Sequence, residues 1–318
     1  MRVRLFYHDR CFDGAASAAV FTEFFRNTYD RSAEFVCTGL AHKASQLFDE
    51  AQFDGDENAI VDFKYSSSPR VTWWFDHHQS AFLSPEDAEH FRHDKSGKKF
   101  YDPTFKSCTK FLATIAREKF GFVQPRLDEL IEWADIIDGA QYPDAKTAVE
   151  LGSAAMKLTL VIEGAGDSIS QKMIRWMASR SLDDIANEPE VRALFNPLYQ
   201  RHLESIDLIR QRADYQRGVI FFDLVDCGHE GYNKFIPYYL FPDSLYTVSV
   251  NTSSFRTKVS VGSNPWAPRE PGHNLATICE RYGGGGHARV GAISFEPGAL
   301  ERARKAAAEI VEELRSES

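Results

Sequence analysis

Apolar residues along this chain fall into two rhythms, with a change near residue 218. In the first part, short apolar runs alternate with helical stretches. Val3–His8, Glu34–Thr38, Ala59–Phe63 and Val71–Phe75 predict strands, and Val71–Phe75 is bulky or β-branched throughout, as in a strand buried on both faces of a parallel sheet. Between the first two, small residues followed by Val20, Phe21, Phe24 and Phe25 at helical spacing predict a helix over Ala15–Thr28. Gly14 before it permits a tight strand-to-helix turn. A short helix is predicted at His42–Ala51 and longer ones at Ser107–Phe120 and Pro125–Ile137. The highly charged stretch Ser84–Thr104 has little periodicity and predicts a long surface loop.

From Ala145 to about Arg217 the pattern is helical throughout, with Met173, Trp176 and Met177, then Leu203, Ile206 and Ile209, as core-packing stripes. At Gly218 the period becomes strand-like. Val219–Val225, Tyr246–Asn251, Lys258–Val261 and Val290–Phe295 predict strands bounded by Gly, Pro, Asn and Ser. Helices are predicted at Asn274–Tyr282 and Ala299–Leu314, with the glycine run Gly283–Gly286 between them. The class is α/β, in two domains joined by a helix.

Composition narrows this little: 43% hydrophobic and 26% charged residues describe an ordinary globular chain, and 318 residues exceed one comfortable core. No apolar run approaches the roughly 18 residues of a membrane helix, and the N-terminus enters a strand without signal-peptide architecture. Five scattered cysteines with no C-x-x-C pair suit a reducing cytoplasm and argue against a disulfide framework. A net charge of −9 repels polyanions, so a small or short anionic substrate gripped locally is expected, rather than long duplex DNA.

The chemistry gathers where strands stop. His8, Asp9 and Asp13 follow the first strand, Asp62 ends the third, and Asp76, His77 and His78 end the fourth. In open α/β sheets, sites form beyond the carboxyl ends of strands. Polar capping would explain one such end; repetition at three favours a site. Asp135 and Asp138, three apart on one helix face, could approach from the side. Mixed imidazole and carboxylate donors suit Mn²⁺, Fe²⁺ or Zn²⁺ better than Ca²⁺ or Mg²⁺. So many carboxylates repel one another unless a second cation is present. Two ions roughly 3.5–4 Å apart, bridged by Asp62, would suit hydrolysis of a phosphoester or phosphoanhydride. The glycine run reads either as an anion nest, with His287 and Arg289 adding donors, or as a flexible turn. Arg256, Lys258 and Arg281 read either as a phosphate-binding wall or as surface charge.

Asp76-His77-His78, preceded by Asp62 and by His8…Asp13-Gly14 and followed late by Gly283-Gly-Gly-Gly-His287, resembles the DHH/DHHA1 phosphoesterases over nearly the whole chain. That family includes single-strand exonucleases, nanoRNases, cyclic-dinucleotide phosphodiesterases and, more distantly, exopolyphosphatases. The resemblance implies a Rossmann-like parallel-sheet DHH catalytic domain (1–195), a linker helix (196–217) and a smaller α/β DHHA1 substrate-binding domain with a mixed sheet (218–318). It implies His8, Asp13, Asp62, His77 and Asp135 as metal ligands, with Asp138 the alternative to Asp135. Asp76 would orient the histidines and His78 would stand beside the scissile phosphate. His287 would hold substrate, and Arg256, Gly285, Gly286 and Arg289 complete the expected binding set. The chain departs from the family's pattern at Cys11, which stands where a D-x-D motif has its first Asp, so it looks like a subgroup with a C-x-D-G first motif. It departs again at Ser260-Val-Gly262-Ser263, where an arginine is common, and in the shorter spacing from His287 to Gly291. The expected activity is hydrolysis of phosphodiester bonds in short oligonucleotides or cyclic dinucleotides between the two domains, with two Mn²⁺ ions, or with Mg²⁺, Fe²⁺ or Zn²⁺. The alternatives are an exopolyphosphatase-like hydrolase and a nucleotide-binding protein that has lost hydrolysis. The expected partners are a short single-stranded oligonucleotide or small phosphorylated substrate, no membrane, and a second copy in a homodimer.

Overall fold

A computed structural model describes residues 1–41, 48–165, 169–228 and 231–316. It divides into two compact units, Met1–Tyr142 with Gly152–Leu198, and Pro143–Leu151 with Tyr199–Ser318. The first contains β1 (Arg2–His8), α1 (Phe12–Thr28), β2 (Glu34–Leu40), β3 (Glu57–Val61), β4 (Trp73–Asp76), α2 (Pro85–His93), β5 (Lys99–Tyr101), α3 (Cys108–Phe120) and α4 (Asp128–Asp138). The helix expected at His42–Ala51 falls mostly on residues 42–47, outside the described residues. A single 3₁₀ turn, Glu50–Gln52, follows.

The strands form one parallel sheet in the order β2-β1-β3-β4-β5. Register does the functional work. Tyr7 pairs with Val61, and Val61 with Phe75. The next residue of each strand, His8, Asp62 and Asp76, therefore falls in one row at the carboxyl edge. Both sheet faces are apolar. Phe21, Phe24 and Phe25 of α1 pack against Trp73 on one side. Phe6, Ile60, Tyr65 and Trp74 are buried on the other. Trp74 loses no hydrogen bond by burial, because its indole N–H donates to the Phe63 carbonyl at 2.9 Å. Gly14 is required where α1 meets the sheet: a Cβ there would lie 2.1 Å from the His8 carbonyl oxygen.

The expected surface loop Ser84–Thr104 instead carries α2 and β5. Ser84 accepts the Asp87 N–H as a helix cap, Pro85 opens the helix, and His90, Arg92 and His93 sit in its last turn. Phe91 packs edge-on against Trp74, Phe100 stacks on Phe75 and Tyr101 stacks on Trp74. These few aromatics, spaced among charges, suffice to fold the segment onto the sheet.

The helices α5 (Ala145–Glu150), α6 (Ala154–Gly164), α7 (Ser170–Ser179), α8 (Leu182–Ala186) and α9 (Pro189–Arg212) follow. Helix α9 ends five residues before the predicted stop, because β6 (Asp214–Gln216) already pairs with β7 (Val219–Asp223). The second unit continues with α10 (Ile236–Leu240), β8 (Tyr246–Ser253), β9 (Arg256–Ser263), α11 (Leu275–Glu280), β10 (Gly285–His287), β11 (Val290–Phe295) and α12 (Leu300–Ser316). Its mixed sheet runs β10-β11-β9-β8-β7-β6, with β7 and β8 parallel and the other pairs antiparallel. Alternation along β9 buries Thr257, Val259, Val261 and Ser263 and leaves Arg256, Lys258 and Ser260 on the opposite face. Ala303, Ala307, Ile310 and Leu314 of α12 cover the buried valines. Among the described residues no helix is long and apolar enough to cross a membrane.

Candidate metal centre

Asp62 is the residue around which the first unit's polar groups converge. It is 1% exposed and follows β3 with φ 56°, a left-handed conformation that is uncommon for a residue with a side chain. Such strain costs on the order of 1–3 kcal/mol and persists where the surroundings enforce it. Its N–H is held by the Phe75 carbonyl at 2.9 Å. The turn aims the carboxylate at three imidazoles: His8 Nδ1 lies 3.5 Å away, His77 Nε2 3.5 Å and His78 Nδ1 3.8 Å. Neither Asp62 oxygen has a hydrogen-bond partner among the described residues. A buried carboxylate in that condition wants a cation.

His77 is oriented for the same purpose. Its Nδ1 lies 3.2 Å from the Phe105 carbonyl, which accepts its proton, so Nε2 faces inward. Around Nε2 stand Asp62, Asp13 at 3.8 Å and Asp138 at 3.4 Å. Asp13, in the first turn of α1, is fixed by the N-terminus of α3: Cys108 and Thr109 donate their backbone N–H groups to its two oxygens at 2.7 and 3.0 Å. The helix dipole favours the carboxylate there. Asp76 is fully buried and orients the histidines, accepting from the N–H groups of His77 (2.9 Å) and His78 (3.3 Å) and from His78 Nδ1 (2.7 Å).

Charge balance in the pocket is poor without a ligand. Burial alone would raise Asp62, but His77 and His8 hold it down to about 2. Burial would lower His77, but Asp62, Asp13 and Asp138 raise it to about 10. Burial and the Asp62 charge push Asp138 up to about 6, and burial with Asp62 and Asp138 pushes Asp13 well above the usual range. The pocket thus takes up protons that bound cations would displace. Ligand atoms within 4.8 Å of one another form three groups among the described residues: His8/Cys11/Asp62, Asp62/His77/His78 and Asp13/His77/Asp138. Shared Asp62 and His77 make this donor set fit divalent ions.

Of the two aspartates of α4, the one that reaches the pocket is Asp138, the alternative to the expected Asp135. Asp138, at the end of α4 with a side chain 26% exposed, faces His77. Asp135, a turn earlier, accepts a 3.0 Å hydrogen bond from Ser107 Oγ and joins none of the three groups. Ser107 lies 28 residues away in sequence, so helix periodicity could not have separated the two aspartates. The backbone donors of Cys108 and Thr109 and the Phe105 carbonyl carry no side-chain signal in the sequence.

The second unit holds a cleft of about 460 Å³ lined by Tyr232, Phe255, Arg256, Lys258, Gly285 and Gly286, among others. Arg256 lies over the exposed Phe255 ring, 5.1 Å from its centroid, and donates to Ser294 Oγ at 3.2 Å. Burial and the neighbouring Arg256 push Lys258 down. His287 and Arg289 do not line this cleft; Arg289 pairs with Glu270 at the surface, and Arg281 with Glu313. Part of the glycine run is an edge strand. A Cβ at Gly284 would lie 2.3 Å from the Ala292 carbonyl, and one at Gly286 2.2 Å from that of Val290, so close strand packing explains both glycines without an anion. Tyr232, Phe255 and Lys234, which also lines the cleft, were missed, since isolated aromatics and a lone lysine give no periodic signal.

No family model matches the chain, and no curated protein matches it in sequence. Solved structures do share its fold. The pGpG-specific phosphodiesterase PggH from Vibrio cholerae superposes with a TM-score of 0.71 at 17% identity, covering 100% of both chains. The DHH domain of a member of the s1p family of ribosomal proteins gives 0.62 at 13% identity, over 98% of this chain and 86% of that one. RecJ from Thermus thermophilus, in complex with Mn²⁺, gives 0.55 at 13% identity, over 98% of this chain but 52% of RecJ. The chain has the fold of these proteins, a parallel-sheet unit and a smaller mixed-sheet unit, as the sequence motifs implied.

Proposed function

We propose that the chain is a divalent-metal-dependent phosphoesterase that hydrolyses phosphodiester bonds in short oligonucleotides, down to dinucleotide size. One observation carries the reading: Asp62, buried and without a hydrogen-bond donor among the described residues, sits strained at the focus of His8, His77, Asp13 and Asp138. The fold shared with a protein named as a pGpG phosphodiesterase and with Mn²⁺-complexed RecJ supports it. His8, Asp13, Asp62, His77 and Asp138 would hold the ions, Mn²⁺ being the expected one, with Asp62 shared. Ions held there supply Lewis acidity toward the phosphoryl oxygens and the attacking water.

His78 has the proton-transfer role. Burial would lower it, but the Asp76 carboxylate on Nδ1 raises it, which favours the protonated ring. Its side chain is 33% exposed, which leaves Nε2 able to reach a substrate. The reading assigns Nε2–H the task of protonating the leaving alkoxide. In the second unit, Arg256 and Lys258 would bind a phosphate and Phe255 would stack a base.

The test is a panel of short RNA, short DNA, cyclic and linear dinucleotides and polyphosphate, assayed with Mn²⁺. Cleavage of oligonucleotides of a few residues, abolished by Asp62→Ala, is expected. Exclusive turnover of polyphosphate would replace the substrate assignment. Nucleotide binding with no turnover of any member would refute the hydrolase.

A further inference from the structure

Only one of the three ligand groups contains sulfur. Cys11 precedes α1 at the N-cap position with extended backbone (φ −126°, ψ 133°), where Ser, Thr, Asp or Asn normally accepts an N–H of the first turn. Its thiol makes no such cap, only a weak contact with the Gly14 N–H. A tight turn with Arg10 at φ 53° brings it back to the sheet edge, so that its Sγ, a His8 ring nitrogen and an Asp62 oxygen lie within 4.8 Å of one another. Asp62 is the second, independent pointer, since both its buried oxygens lack hydrogen-bond partners among the described residues. The chain offers a contrast in Cys108, fully buried nearby. Its Sγ donates to the Phe75 carbonyl at 3.4 Å, and it belongs to none of the three ligand groups.

Building on the metal-dependent reading above, we propose that Cys11 binds one ion as a thiolate and makes the centre chemically asymmetric. His8, Cys11 and Asp62 form a site for a thiophilic divalent ion such as Zn²⁺. Asp13, His77 and Asp138 form a nitrogen-and-oxygen site for a harder ion such as Mn²⁺. Thiolate ligands favour zinc and iron chemistry, whereas carboxylate-rich sets suit manganese. The charges agree: three carboxylates and one thiolate carry four negative charges, the number two dications neutralise. On binding, Cys11 Sγ replaces one water on the ion, and the thiol proton leaves to solvent.

Every site of this kind prefers Zn²⁺ to Mn²⁺, so the signature is a difference between the two sites. The full chain is stripped of metal and reloaded with Zn²⁺ for X-ray absorption, and with Co²⁺ for spectroscopy. The expected result is one sulfur at about 2.3 Å among nitrogen and oxygen neighbours, with a thiolate-to-cobalt charge-transfer band in the near ultraviolet. Cys11→Asp should still bind two ions, lose both sulfur signals, and lower the Zn²⁺-over-Mn²⁺ preference of one site by about tenfold or more. Two bound ions with no sulfur neighbour, or a sulfur signal that survives Cys11→Asp, would overturn the proposal while leaving the phosphoesterase reading intact. A chain that binds no ion at all would remove that reading and this one together.

Discussion

The two sheets of this protein handle charge in opposite ways. The parallel sheet of the first unit drives Asp13, Asp62, Asp76 and His77 into its buried carboxyl edge, where Asp62 finds no hydrogen-bond partner among the described residues. The mixed sheet of the second unit carries Arg256 and Lys258 on the less buried face of β9, with Arg256 beside Phe255, while Arg289, in the turn before β11, pairs with Glu270 at the surface. In the first unit, Asp62 is balanced among the described residues only by imidazoles 3.5–3.8 Å away, an arrangement that a bound cation would complete. Partly exposed cations on a sheet face cost far less than buried charges and fit a loosely held ligand. On the proposed reading, the first region would hold metal and carry the chemistry, and the second would make reversible substrate contact.

That contrast predicts different kinetic signatures. Among residues that hold no ion, the largest effect falls on His78. His78→Asn should cut turnover of a dinucleotide by about 10²–10⁴-fold. It should spare bis-p-nitrophenyl phosphate, whose leaving group needs no proton. Equal loss on both substrates, in parallel kcat measurements, would make His78 a ligand rather than an acid. Next comes the cleft: Arg256→Ala with Lys258→Ala should raise KM about tenfold or more with kcat nearly unchanged, as for removal of uniform binding. A fall in kcat alone would mean that the second unit takes part in the chemistry.

The two aspartates of α4 sharpen the comparison within the first unit. Asp138→Asn should remove a metal ligand and lower the bound-metal count, read by elemental analysis. Asp135→Asn should leave the count unchanged and cost only about 1 kcal/mol of stability through its Ser107 bond. The smallest effect concerns pH in the metal-free protein. His77 is held up to about 10, above its ordinary 6.5, so its ion pairs stabilise the fold fully below pH 6.5 and less as pH climbs toward 10. The metal-free melting temperature should fall by a few degrees across that window, and saturating metal should flatten the slope. A slope that metal leaves unchanged would mean that His77 is not a ligand.

The row of chemical groups at the parallel sheet's edge was legible because each apolar run stops at an imidazole or carboxylate, and parallel register makes such stops coincide. That Asp138 faces His77 while Asp135 does not was not legible, because Ser107 holds Asp135 through a contact that no local pattern encodes. Helix α2 and strand β5 hid among charges, since three well-placed aromatics fold them and periodicity needs more. Residues 143–151 leave the first unit for the second through tertiary contacts. Asn233 donates to the Ala148 carbonyl at 2.8 Å, and His202 Nε2 to that of Val149 at 2.7 Å, across 85 and 53 residues of sequence. The glycine run was legible as unusual, but its packing against β11, which demands Gly284 and Gly286, is a tertiary contact outside any local pattern.

The central claim, that strained, buried Asp62 is shared between two cations, is tested most directly by anomalous diffraction from crystals soaked in Mn²⁺. The account predicts two peaks roughly 3.5–4 Å apart on either side of the Asp62 carboxylate, both lost in Asp62→Ala. A single peak away from Asp62, or none at saturating Mn²⁺, would contradict it.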